Sequence, residues 1–320
     1  MAAACCYSLL TFQGTPVHWS SSRRVPVPAI MLSDAALALL RDCLGQPNLF
    51  ADNRRITRRI VVWGGPDPVA LPHAAAMLGA GDLDFPPPPE DGSPAASAFT
   101  IHTAAVPNSK AQLHFGDRAG EVVPVDLLHP EDSDACWIEA TGAGWLFMIP
   151  CAADSGWLLA IGAPVDELMG QSKHLTERVR FTASQAVQFD TTPRMQLPMA
   201  QQSWLACGSP SMAFDPICGD GTATAAKQAI LASAVAQAML EGEHAEELAG
   251  HYQAMMVASM RRHLRLCAEF YASGGDSAWW HSQQQALAEG FAQCSALLER
   301  EPAPRFALDG YRLVRRELAE

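Results

Sequence analysis

Residues 204–221 read WLACGSPSMAFDPICGDG and run into a long Ala-rich stretch. Gly208, Gly219 and Gly221 let the backbone come close to a ligand. Asp215-Pro216 fixes a turn, and Asp220 stands where it can cap the helix that follows. A glycine-rich turn feeding a helix presents unpaired N–H groups and the positive end of the helix dipole. The chemistry this offers is the binding of an anion or a dipolar group. A capped helix with no ligand uses the same residues, and the residues alone leave both readings open.

Acid–base chemistry has scattered candidates: His73 in LPHAAAM, His102 and His114 in β-like runs, and Glu139 in CWIEATG. A lone histidine is more often structural than catalytic, despite its convenient pKa, and no catalytic residue is assigned. Trp137, Trp145, Phe147 and Trp157 are candidates for an aromatic pocket or for plain core. The nine cysteines contain no CxxC pair, so no metal site is expected and the thiols read as reduced, buried hydrophobes.

Bulk properties exclude some classes. With 22 basic and 34 acidic side chains the net charge is −12, which disfavours a nucleic-acid surface. Hydrophobic residues make up 49% of 320, enough for a sizeable core. No stretch approaches the ~18 uninterrupted apolar residues of a membrane span. No Lys or Arg precedes the first apolar run, as a signal peptide requires. The expectation is a cytoplasmic protein.

The positioning elements follow from periodicity. MAAACCYSLLTF predicts a helix stopped at Gly14, and TPVHW a short strand. Ser33 or Asp34 caps a helix that Gly45 and Pro47 end. RRIVVW is a buried strand, and residues 80–95, with four consecutive prolines, a surface connector. From 98 to 162 short runs separated by Gly, Pro, Asp and Asn predict an antiparallel sheet walling a pocket. Residues 222–241 form a helix, a second runs from about Leu248 to Phe270, and a third covers WWHSQQQALAEGFAQC. The tail RFALDGYRLVRRE closes as a hairpin.

ACGSPSMAFDPICGDGTATAAKQAI resembles the second FAD-contacting motif of flavin-dependent monooxygenases and tryptophan-halogenase-like flavoproteins. GWLFMIP at 144–150 is similar to their Trp-x-x-x-Ile-Pro substrate-side strand, and VPVPAIMLSDAALALLRDC to the stretch after their second strand. The branch closest in pattern matures tryptophan-derived quinone cofactors by hydroxylating a protein tryptophan. The resemblance implies an α/β, FAD/NAD(P)-binding (Rossmann-like) fold with an inserted antiparallel β-sheet substrate region and a helical C-terminal part. It divides the chain into a partial FAD-binding segment (1–75), a β-rich substrate-binding segment (76–200), a second FAD-binding segment (201–241) and a helical C-terminal segment (242–320).

The resemblance further implies non-covalent FAD contacted by Gly208, Ser209, Asp215, Pro216, Gly219, Asp220 and Gly221, and a substrate pocket including Trp145, Phe147 and His73. The flavin would be reduced by NAD(P)H or a partner reductase. The substrate would be a small aromatic molecule or a tryptophan-bearing polypeptide, hydroxylated on an indole-like ring.

Departures from the pattern are part of the reading. The strand and Gly-x-Gly-x-x-Gly that precede the first helix in family members are expected to be absent. Ser209 stands where the pattern has Asp, and Ser20-Ser21-Ser22 where it has an acid, with Arg23 or Arg24 as possible phosphate ligands. Halogenation in this family needs a lysine beside the substrate. Lys110, Lys173 and Lys227 match no such context, so hydroxylation is favoured over a halogenase. The alternative is a non-catalytic or truncated flavin-fold protein acting as a binding or maturation partner.

Overall fold

A computed structural model describes residues 1–20, 27–85, 99–107, 109–182, 186–219, 221–301 and 304–316. Asp220, Ser21, Ser22, Arg23, Arg24 and the proline run at 86–89 lie outside the described residues.

Six helices are described: α1 (Ala2–Phe12), α2 (Asp34–Leu44), α3 (Val165–Gln171), α4 (Gly221–Leu240), α5 (Ala245–Gly274) and α6 (Ala278–Leu298). Their ends obey the chemistry read from the sequence. Ser33 Oγ accepts the Ala36 N–H at 3.3 Å to open α2, and Gly45 closes it in the left-handed region at φ 63°.

The strands follow in chain order: β1 (Ala29–Ser33), β2 (Arg55–Val62), β3 (Val69–Gly79), β4 (Thr100–His102), β5 (Ala111–His114), β6 (Ala119–Leu127), β7 (Ala135–Thr141), β8 (Gly144–Pro150) and β9 (Ser155–Ile161). Then come β10 (Val179–Phe181), β11 (Val187–Asp190), β12 (Arg194–Leu197), β13 (Ala200–Gln201), β14 (Trp204–Ala206), β15 (Met212–Ala213), β16 (Phe306–Asp309) and β17 (Arg312–Arg315). The main sheet has the order β1-β3-β2-β7-β8-β9-β6-β10, with β11 also on β6. It is antiparallel except where β2 pairs β7 in parallel, Arg59 opposite Cys136 and Val61 opposite Ile138. The tail closes as the expected hairpin, β16 on β17.

The β4 and β5 runs leave that sheet. β4 pairs β14 in parallel, and β5 pairs β12. TPVHW is not a strand: residues 15–20 carry no ladder among the described residues. Pro16 has no N–H to donate, and neighbouring side chains turn to α1 and α4 instead. Thr15 Oγ1 donates to Gln237, and Trp19 packs on Tyr7 with ring centroids 5.8 Å apart.

Side-chain alternation divides the main sheet into two faces. One carries Trp137, Leu146, Met148, Leu158 and Ala160 into a buried cluster with Val165 and Leu168 of α3. The other turns Ile138, Ala140, Trp145, Phe147 and Leu159 toward the core shared with α1, α4, α5 and α6. α5 and α6 dock on the sheet through Trp280, fully buried, whose indole N–H donates to the Thr141 carbonyl at 2.8 Å. A Cβ at Gly274 would lie 2.3 Å from the Trp280 ring, so this corner requires glycine.

Candidate functional site

The turn at 215–221 is built as its residues dictate. Asp215 Oδ1 accepts the Ile217 N–H at 2.9 Å, Pro216 starts a short 3-10 turn, and Gly219 ends it at φ 65°. α4 then begins at Gly221. Gly219 and Gly221 are exposed. A Cβ at Gly221 would meet nothing within 4 Å, and one at Gly219 only Arg59 Nη2, at 4.0 Å, among the described residues. The backbone here is open to a ligand at the dipole-positive end of a 20-residue helix.

Asp215 itself faces inward. It is 2% exposed, and its Oδ2 accepts from the Tyr271 hydroxyl at 2.8 Å and pairs with Arg118 Nε at 3.4 Å. Its backbone N–H donates to His263 Nε2 at 2.9 Å. Burial pushes the Asp215 carboxyl above the usual carboxylate range, against the pull of Arg118. Asp215 therefore shapes the turn and has no free oxygen to offer a cofactor.

Gly208 is turned inward as Asp215 is, whereas Ser209 is not. Gly208 is buried, its N–H donating to Gln228 Oε1 at 2.7 Å, and a Cβ there would lie 3.2 Å from Ala2 Cβ. The N-terminus of α1 thus covers this glycine. Ser209 is exposed beside it and Pro216 is half-buried.

The three predicted pocket residues share one sheet face, the one turned toward the Asp215–Gly221 turn. Trp145 is fully buried: its indole N–H donates to Tyr271 Oη at 3.2 Å, and its ring meets Trp63 edge-on at 6.4 Å. It positions, rather than lines, the site. Phe147 is half-buried beside Cys136 and Ala75. His73 is half-buried, and Arg59 Nη2 donates to its Nε2 at 3.4 Å. Burial first, then the Arg59 charge, push the His73 pKa below its ordinary value, so the ring is neutral at pH 7. Arg59 Nε is buried without a hydrogen-bond partner among the described residues.

This face is the more open of the two. In β7–β9 the opposite face is buried, whereas Ile138, Phe147, Trp157 and Leu159 on this face keep part of their surface open. Partly open apolar side chains therefore stand on the face that also carries Arg59, whose Nη2 lies 4.0 Å from where a Gly219 Cβ would be.

The remaining candidates belong elsewhere. Glu139 and Trp137 sit on the opposite face. Glu139 is 2% exposed and accepts from Ser172 Oγ and the Lys173, His174 and Leu175 amides at 2.7–3.3 Å, so it anchors a loop. Trp137 donates to Asp132 Oδ1 under the Arg178 guanidinium. His102 packs edge-on against Trp204, and His114 is exposed. Arg59, Arg118 and Tyr271 escaped the sequence reading. Only Arg59 left a signal, a charge within the apolar RRIVVW strand.

Neither a family model nor a curated protein sequence matches the chain. Solved structures do. The peptidyl tryptophan dihydroxylase QhpG, essential for tryptophylquinone cofactor biogenesis, is 18% identical with a TM-score of 0.71 over 89% of this chain and 76% of its own. The flavin-dependent halogenase CmlS is 14% identical with a TM-score of 0.71 over 93% and 69%. The flavin-dependent brominase Bmp2 is 13% identical with a TM-score of 0.66 over 95% and 94%. The fold is that of these tryptophan dihydroxylase and flavin-dependent halogenase structures and of the probable FAD-dependent monooxygenase pqsL, as the 206–230 motif implied. Among the described residues no helix is long and apolar enough to cross a membrane.

Proposed function

We propose that the protein is a flavin-dependent monooxygenase that hydroxylates an indole-like aromatic group, with a tryptophan-bearing polypeptide as the favoured substrate class. The observation that carries this reading is the half-open apolar face of Ile138, Phe147 and Leu159 beside the exposed Gly219–Gly221 turn. A flat aromatic ring system with an anionic edge suits that pairing of apolar wall and N–H-rich turn. The likeness to QhpG, whose own substrate is a peptidyl tryptophan, supports the substrate class.

FAD, when bound, supplies two-electron redox and oxygen-activating chemistry. The chain's own residues do the rest. The backbone of Gly219 and Gly221 and the N-terminus of α4 would hold the negative edge of the ring, and Arg59 adds a second positive group there. His73 accepts from Arg59 and orients it. Trp145, Tyr271 and Asp215 fix the wall to the turn, and Phe147 and Leu159 exclude water from between them. Electrons would come from NAD(P)H or a partner reductase.

Halogenation is disfavoured on position. Lys110, Lys173 and Lys227 are all exposed, and Lys173 lies in the loop held by Glu139 on the opposite face.

The test is flavin retention by the full-length chain. Protein mixed with FAD and passed through a desalting column should keep the yellow flavin absorbance, and turnover with a reductant should add oxygen to an indole-bearing peptide. Protein that emerges colourless overturns the flavin reading and selects a non-catalytic binding role.

A further inference from the structure

Behind the glycine turn lies a cluster that the proposed reaction does not use. Cys218, the last residue of the 3-10 turn, meets His263 and Cys267, which stand one turn apart on α5. The sulfur and ring-nitrogen atoms of the three all lie within 4.8 Å of one another. Sγ of Cys218 is 3.6 Å from Sγ of Cys267, and Sγ of Cys267 is 3.3 Å from Nε2 of His263.

Two of the three spacings are close to those of a shared ion, and the remaining pair, Cys218 Sγ and the His263 ring nitrogen, lies within 4.8 Å. With Zn–S and Zn–N bonds of about 2.3 and 2.05 Å, a tetrahedral centre sets its ligands about 3.5–3.8 Å apart. The two short contacts fall within a few tenths of an ångström of that range. Two thiols and an imidazole form a soft donor set, which prefers zinc to magnesium or calcium. We propose that Cys218, His263 and Cys267 form a three-ligand zinc site that pins the Asp215–Gly221 turn to α5.

Supporting features surround the cluster. Access comes from a cleft of about 590 Å³ between α4 and α5, lined by Phe214, Gln228, Leu231, Met256, His263 and Leu266. Cys218 is half-buried, while His263 and Cys267 are buried. A zinc ion entering there takes three protein ligands and keeps its fourth position for water.

The balance is simple. Zn²⁺ replaces the two thiol protons, which leave to solvent, and two thiolates neutralise its charge. The Asp215 N–H, which donates to His263 Nε2 at 2.9 Å, gives up that acceptor when the ion takes the same nitrogen. Zinc and the glycine turn are therefore coupled through Asp215. No CxxC pair announces the site, because its third ligand lies 45 positions before the His263–Cys267 pair begins (263 − 218).

Cobalt titration of the reduced full-length protein tests this without any flavin. Co²⁺ should bind one ion per chain with a near-ultraviolet thiolate charge-transfer band and intense visible bands, and Zn²⁺ should displace it. Cys218→Ser, a nearly isosteric change at a half-buried turn, should weaken the band and the affinity by about tenfold or more, the scale on which metal-site contacts act. Cys294→Ser, on α6, should change neither. The proposal is overturned if wild-type protein gives no charge-transfer band, or if Cys218→Ser retains both band and affinity. Isolation with a Cys218–Cys267 disulfide that, once reduced, still takes no cobalt also overturns it.

Discussion

The Tyr271 hydroxyl donates to Asp215 Oδ2 at 2.8 Å, tying the middle of the fold to the glycine turn that precedes α4. Tyr271 also accepts from Trp145, so one hydroxyl links β8, α5 and the 215–221 turn. This makes Asp215, which the motif suggests as a cofactor contact, a residue that sets the height and angle of Gly219 and Gly221.

Tyr271→Phe removes the donor to a buried carboxylate and leaves the Trp145 N–H without its acceptor. Each such loss costs about 1–3 kcal/mol, so the midpoint of urea unfolding should fall clearly. Asp215→Asn should be destabilising on its own because it strands buried Arg118, whose Nε and Nη2 have no hydrogen-bond partner among the described residues. The double variant should cost less than the sum of the two, by about 0.5 kcal/mol or more for groups in one network. Strict additivity would argue that the two side chains act independently.

Glu139 offers a contrast on the other sheet face. Glu139→Ala removes the acceptor from three backbone amides and one hydroxyl. Stability should fall by about 2 kcal/mol or more, while flavin retention by the folded protein should match wild type. A selective loss of flavin with stability intact would restore Glu139 as a site residue.

Much of this arrangement was legible in the residues. Ser33 and Gly45 marked α2, the Ala-rich run marked α4, and the i, i+3, i+4 rhythm from Leu248 marked α5, because each signal is local. TPVHW misled because a short β-like run is a strand only if another strand pairs with it. The sheet faces were not legible either. A bulge in β2 between Ile56 and Arg58, and the parallel register of β2 on β7, decide that Arg59 faces the glycine turn. The bulge depends on pairing with β3 and the parallel register on a partner 77 positions away (136 − 59), neither of which one strand's composition encodes. The burial of Trp145 likewise depends on Tyr271 and Trp63, from two other elements.

His73 and Arg59 can be separated by titration. Burial and the guanidinium both disfavour the charged imidazole, so its folded pKa lies below the unfolded value of about 6.5. The stability linked to this shift is present above that unfolded value and is lost as pH falls through the lowered folded pKa. Arg59→Met removes the charge and keeps most of the bulk. The His73 midpoint, followed by the imidazole C–H signals in NMR, should move up but stay below the ordinary value because burial remains. A downward move, or none, would place Arg59 away from the ring.

The two exposed glycines make opposite demands, and this separates binding from folding. Gly219 sits at φ 65°, where a side chain costs about 1–2 kcal/mol, so Gly219→Ala should lower stability by roughly that amount before any ligand is considered. Gly221 has no such angle, and its added Cβ would meet empty space. Gly221→Val should therefore fold with little change in stability, because valine ranks above glycine in helix propensity. Its side chain would nonetheless project into the volume assigned to the ligand. Equilibrium dialysis against FAD should show at least a tenfold weaker affinity for Gly221→Val at nearly unchanged thermal stability. If Gly221→Val binds FAD as wild type does, the flavin does not sit at this turn.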